Sequence, residues 1–131
     1  MKKNLLLVDD HSVVRDGLRM VLGSSPDYEV IAEAENGEEA VRTADSHRPD
    51  IIIMDISMPK LNGLEATALI KRKHPEIKII ILSVHANEEY ISQARRVGAD
   101  GYVLKSSRKS ELLNALDHAL MDDSFYCAQP A

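Results

Sequence analysis

Short runs rich in Val, Ile and Leu recur at Leu5–Val8, Val30–Ala32, Ile51–Met54, Ile77–Leu82 and Tyr102–Leu104. Each is too short for a helix and reads as a strand. Ile51-Ile52-Ile53 and Ile79-Ile80-Ile81-Leu82 do not alternate with polar residues, which predicts strands covered on both faces, as in a parallel sheet. The intervening segments have helical period: Val14, Leu18, Val21 and Leu22 form one apolar stripe, and Leu112, Leu113, Leu116, Ala119 and Leu120 form another. Asn87 with Glu88 and Glu89 is a helix start signal, Gly98 follows a helix end, and Arg48-Pro49-Asp50 separates a helix from a strand. Ser110 falls inside the last helix.

Strands that alternate strictly with helices predict a doubly wound α/β fold: a parallel sheet, right-handed crossovers and helices on both faces. Five strands and five helices favour the flavodoxin-like order 2-1-3-4-5, in which ligands sit beyond the carboxyl ends of the strands. The pattern fills residues 1–121 as one domain. After Met121 it dissolves into Asp122-Asp123-Ser124 and a tail ending Gln129-Pro130-Ala131, so residues 122–131 are expected to be a tail or the start of an interdomain linker.

Composition narrows the function. A chain of 131 residues can bury a core without disulfides or structural metal, and the lone Cys127 allows no intramolecular disulfide. The opening Met1-Lys2-Lys3 with Leu5–Val8 imitates a signal peptide, but Asp9 and Asp10 cut the apolar run short, below the roughly 7–15 residues such a segment needs. A cytoplasmic protein without membrane contact is the expectation. The net charge of −5 argues against nucleic-acid binding by this segment. The one basic cluster, Lys71-Arg72-Lys73-His74, closes a predicted helix before Pro75, where it complements the helix dipole.

Candidate chemistry lies at the strand ends. The first strand ends in Asp9-Asp10, the third in Asp55, the fourth in Ser83 and the fifth in Lys105. Alone, each has an ordinary explanation: Asp10 as a helix cap, Asp55 as a strand terminator, Ser83 as a turn residue, Lys105 as a solvated lysine. In the order 2-1-3-4-5 they converge on one crevice. Two carboxylates about 4 Å apart repel by about 4 kcal/mol at an effective dielectric constant of about 20, so such a cluster needs a cation. Oxygen ligands suit Mg²⁺, or Mn²⁺ in its place, better than zinc. With Asp10 and Asp55 as ligands, a phosphate is attracted to the site and Asp55 can act as a carboxylate nucleophile that forms an acyl phosphate. Lys105 then supplies a second cation for the transferring group, and Ser83 a hydrogen bond to one of its oxygens.

Val8-Asp9-Asp10-His11, the segment Met54-Asp55-Ile56-Ser57-Met58-Pro59-Lys60-Leu61-Asn62-Gly63, Ser83 and Lys105 together resemble the receiver domain of bacterial two-component response regulators, from about residue 3 to residue 121. The resemblance implies that Asp55 is the phosphoacceptor, that the backbone carbonyl of Ser57 is a further Mg²⁺ ligand, and that Asp9 acts through coordinated water. It also implies that Ser83 and Tyr102 are switch residues, that a sensor histidine kinase is the phosphoryl donor, and that Ser57 and His85 tune phosphoryl hydrolysis. Homodimers are implied through the fourth helix, fifth strand and fifth helix, or through the first and fifth helices. The stretches from Asp10 to Leu18 and from Asn62 to Ala66 resemble the NarL/FixJ (LuxR-type) subfamily, whose members usually carry a C-terminal helix-turn-helix. That domain is not present here, so DNA binding is expected only through such a domain of a parent protein. One departure concerns the loop after Lys105, where many receivers have proline, often cis; this chain has Ser106.

Two other classes compete. A haloacid-dehalogenase-type phosphatase also uses an aspartyl nucleophile and Mg²⁺, but its nucleophile follows the first strand in an Asp-x-Asp pattern, and here those aspartates are adjacent. A non-catalytic interaction module would be a receiver-like fold that has lost phosphorylation, or a flavodoxin. Retention of all five polar strand-end residues disfavours the first, and Asp9-Asp10 would repel a flavin phosphate.

Overall fold

The computed structural model describes residues 2–121 and 126–128. The element order is β1 (Lys3–Val8), α1 (Ser12–Gly23), β2 (Tyr28–Ala34), α2 (Gly37–His47), β3 (Ile51–Met54), α3 (Gly63–Lys73), β4 (Lys78–Ser83), α4 (Glu88–Arg96), β5 (Gly101–Leu104), α5 (Lys109–Leu120) and β6 (Tyr126–Ala128). The first five strands are parallel in the order β2-β1-β3-β4-β5, as the alternating pattern predicts.

The uninterrupted apolar runs are explained by two cores. Successive side chains of a strand point to opposite faces. On one face Leu6, Val8, Ile52, Met54, Ile79 and Ile81 pack with Ala40 and Ala44 of α2, Ile70 of α3 and Ile91 of α4. On the other, Leu5, Leu7, Ile51, Ile53, Ile80 and Leu82 pack with Leu22 of α1 and Leu112 and Leu116 of α5. Neither face of the central strands is left to water, so no polar alternation survives in the sequence.

The structure adds a sixth strand within the segment expected to be tail or linker. Tyr126–Ala128 pair with β5 in parallel, with Tyr102 opposite Cys127. Three residues are too few to display a periodicity.

The basic cluster does more than complement the α3 dipole. Lys71 Nζ lies 3.0 Å from Asp100 Oδ2 and donates to the Ile77 carbonyl at 2.8 Å, which ties α3 to the entries of β4 and β5. Lys73 and His74 both reach Asp45 on α2, at 3.3 and 2.7 Å. Among the described residues, no helix is long and apolar enough to cross a membrane.

Candidate functional site

The site forms at the carboxyl edge of the sheet because β1, β3, β4 and β5 are in parallel register and stop together. Val8 pairs with Met54, Met54 with Ile81, and Ser83 with Leu104. The residues after β1, β3 and β5, together with Ser83 at the end of β4, are therefore brought to one rim. Backbone hydrogen bonds extend this order past the strand ends: Asp55 N donates to the Val8 carbonyl at 2.9 Å, and Lys105 N to the Ser83 carbonyl at 2.7 Å.

Gly63 fixes the loop after Asp55. A Cβ there would lie 1.9 Å from the Asp55 carbonyl oxygen, so only glycine permits this approach. Its N–H donates to the Ile56 carbonyl at 2.9 Å. Asn62 and Glu65 close a capping box on α3 immediately behind it.

Lys105 Nζ stands between two buried carboxylates, 2.9 Å from Asp9 Oδ2 and 3.4 Å from Asp55 Oδ1. Asp9 Oδ2 is buried, and the Lys105 ammonium is its partner. Ligand atoms of Asp9, Asp10, His11 and Asp55 all lie within 4.8 Å of one another. Burial pushes the Asp55 carboxyl above its ordinary value, and the neighbouring Asp9 charge pushes it further; Lys105 opposes both. Burial disfavours the Lys105 ammonium, but Asp9 and Asp55 more than restore it and hold it above its ordinary value. One ammonium against three carboxylates leaves excess negative charge, and these oxygen donors fit a divalent cation.

Of the residues expected to converge, Asp9, Asp10, Asp55 and Lys105 share the pocket. Ser83 is buried one strand away, and its Oγ accepts a hydrogen bond from His85 N at 3.0 Å. Tyr102 is completely buried and donates its hydroxyl to the His85 carbonyl at 2.7 Å; burial pushes its pKa up. Ser57 is exposed on the loop after Asp55, with its Oγ 3.4 Å from His85 Nε2. No described peptide bond is cis, so the Lys105–Ser106 bond is trans.

Three participants escaped the sequence reading. The imidazole of His11 faces both acidic residues, with Nδ1 3.0 Å from Asp10 Oδ1 and 3.2 Å from Asp9 Oδ1. Tyr90 stacks on His85 with ring centroids 4.2 Å apart. Arg15 is buried and donates to the Asp9 backbone carbonyl at 2.5 Å. A signal for Arg15 was present: it shares a helix face with Leu18 and Leu22 at i, i+3 and i+7, a buried stripe where a charge needs a partner.

Comparison with known proteins places this geometry. The family model for the response regulator receiver domain matches residues 5–117. The chain is 39% identical over 115 residues to the transcriptional regulatory protein DegU of Brevibacillus brevis, covering 88% of this chain and 49% of that protein. It is 40% identical over 115 residues to the nitrate/nitrite response regulator protein NarL of Escherichia coli K12, covering 88% and 53%. The chain thus spans about half the length of the curated relatives it matches. A solved two-component response regulator of the LuxR family from Aurantimonas sp. SI85-9A1 superposes with a TM-score of 0.92 at 35% identity, over 99% of this chain and 91% of that one. With its sheet order, its acidic rim and these relatives, the chain belongs to the response regulator receiver domain family, in its NarL/LuxR branch.

Proposed function

We propose that Asp55 accepts a phosphoryl group in a Mg²⁺-dependent reaction, from a sensor histidine kinase or from acetyl phosphate, and that this switches the domain to control an output. The carrying observation is the placement of Lys105 Nζ between Asp9 and Asp55, beside carboxylates close enough to share one cation. Asp10, Asp55 and the Ser57 backbone carbonyl would hold the ion, with Asp9 acting through water; Mn²⁺ can substitute. The ion, when bound, offsets the clustered negative charge and that of the phosphoryl oxygens. A carboxylate oxygen of Asp55 attacks phosphorus, the bond from phosphorus to the donor breaks, and the donor leaves with that electron pair. Lys105 stabilises the negative charge on the opposite side.

Ser83 and Tyr102 carry the change outward. Both now converge on His85, through its N–H and its carbonyl, so a Ser83 hydroxyl drawn to a phosphoryl oxygen would disturb this loop and α4 behind it. Val13, two residues after His11, and Val84, next to Ser83, are exposed apolar side chains available to a kinase. The protein acts in the cytoplasm, with output through transcription by a DNA-binding domain of the parent protein. Homodimerisation follows through α4, β5 and α5 or through α1 and α5.

Incubation with acetyl phosphate and Mg²⁺ followed by intact mass tests the reading. One added phosphoryl group is expected, removed by hydroxylamine and absent from Asp55→Asn; no mass increase, or an increase that persists in Asp55→Asn, contradicts it. Turnover of a simple phosphate ester would favour the phosphatase alternative.

A further inference from the structure

We propose that the groove between α1 and α5, apart from the acidic pocket, binds a medium-chain carboxylate, a fatty acid of the size of octanoate. The proposal does not depend on phosphoryl transfer, and its test needs neither Mg²⁺ nor a phosphoryl donor.

The groove exists because part of the apolar stripe of α1 is not closed over by the core. Val14, Leu18 and Val21 of α1 are only half-buried, and with Leu112 of α5 they line a cavity of about 330 Å³ whose inner wall includes Leu82 of β4 and Val103 of β5. Ligand pockets span roughly 300–1,000 Å³, so this one suits a small molecule. At about 30 Å³ for each water-sized group, it admits roughly ten heavy atoms, the count of octanoate. Gly17 keeps the α1 wall open, since a Cβ added there would meet nothing within 4 Å.

Charge selects the head of the occupant. The chain has a net charge of −5, yet no carboxylate lines this cavity and Lys105, Arg108 and Lys109 do. Lys105 lends only its stem, because its ammonium is held 2.9 Å from Asp9 and 3.4 Å from Asp55. Arg108 and Lys109 are exposed at the mouth, and neither has an ion-pair partner among the described residues. Arg108 is also the N-cap of α5 and supplies no side-chain cap, so the positive pole of that helix adds to the two charges. A carboxylate head gains charge-assisted hydrogen bonds at this rim while its tail leaves water between the helices. An ammonium head on the same tail meets like charge.

Heteronuclear NMR titration of octanoate into the wild-type chain without divalent ions tests this, beside octylammonium and acetate at the same concentrations. Saturable shifts are expected on α1, the end of β5 and the start of α5, with octylammonium and acetate weaker by about tenfold or more. Gly17→Leu puts a side chain into the groove and should weaken octanoate by about tenfold or more; leucine is the better helix former, so the fold is kept. Arg108→Glu with Lys109→Glu places acids at a helix start, where they are favourable, and should weaken octanoate about tenfold or more while strengthening octylammonium. Circular dichroism melts establish that each variant is folded. Octylammonium binding as tightly as octanoate, shifts spread over the exposed Val13, Met20 and Val84, or octanoate binding unchanged in Gly17→Leu overturns the proposal. Sedimentation of the same proteins reads the other occupant: a wild-type dimer that Gly17→Leu dissociates assigns the groove to a second copy and also overturns it.

Discussion

Arg15 and Asp9 are joined by a hydrogen bond from a buried guanidinium to a backbone carbonyl, at 2.5 Å. The same side chain donates from Nε to Glu33 Oε1 at 2.7 Å, at the end of β2, where Arg19 also pairs with Glu33. Arg15 thus braces the acidic turn after β1 against the neighbouring strand. Arg15→Ala strands the Asp9 carbonyl and removes a partner of Glu33, which should cost about 1–3 kcal/mol in urea unfolding and weaken Mg²⁺ binding. Arg15→Lys keeps a charge but not the two-directional fork, so it should recover stability better than Mg²⁺ affinity. Equal recovery of both would reduce Arg15 to a packing role.

Asp55 and Glu33 contribute to stability with opposite signs. Burial raises the pKa of Glu33, but its bonds to Arg15 and Arg19 outweigh this and hold it below its ordinary value. Its contribution is present above the unfolded pKa and is lost as pH falls through the folded one. The pKa of Asp55 is raised, so its ionised form is a penalty, present above the folded pKa and absent below the unfolded one. Asp55→Asn should therefore raise Tm at neutral pH without divalent ions, by roughly 2–6 °C. The gain should shrink as pH falls through the carboxylate range and as Mg²⁺ is added to the wild type. A lower Tm for Asp55→Asn under metal-free neutral conditions contradicts the electrostatic account.

Two glycines should answer the same substitution in opposite ways. Gly17 is exposed inside α1 with nothing within 4 Å of an added Cβ, so Gly17→Ala should stabilise by about 0.5–1 kcal/mol. At Gly63 the added carbon meets the Asp55 backbone, and Gly63→Ala should cost more than about 2 kcal/mol and impair phosphorylation. Chemical denaturation of the pair measures both.

Ser57 and His85 touch across the pocket mouth, with Tyr90 behind the imidazole. If they tune hydrolysis as proposed, Ser57→Ala and His85→Ala should change the dephosphorylation rate severalfold while leaving Mg²⁺ affinity intact. Unchanged rates refute the tuning role.

Much of this was legible in the chain because doubly wound sheets write their signal twice. Ile51-Ile52-Ile53 is apolar without alternation because Ile52 faces α2 and α3 while Ile51 and Ile53 face α1 and α5. Once the strand order follows, Asp9, Asp55 and Lys105 must share a rim. Contacts that depend on side-chain direction were not legible. The fork of Arg15, the stack of His85 on Tyr90 and the orientation of His11 toward Asp10 are set by rotamers and loop paths. The strand at Tyr126–Ala128 was hidden by its brevity, and the inward placement of Tyr102 is a matter of packing, not spacing.

The central claim, a nucleophilic Asp55 beside a cation held by its acidic neighbours, is tested most directly by a crystal structure with Mg²⁺ and beryllofluoride. The account predicts the fluoride group bonded to an Asp55 carboxylate oxygen, Mg²⁺ on Asp10, Asp55 and the Ser57 carbonyl, and Lys105 Nζ and Ser83 Oγ turned to the fluorines. Beryllofluoride bound elsewhere, or Mg²⁺ absent from the Asp10 and Asp55 carboxylates, contradicts it.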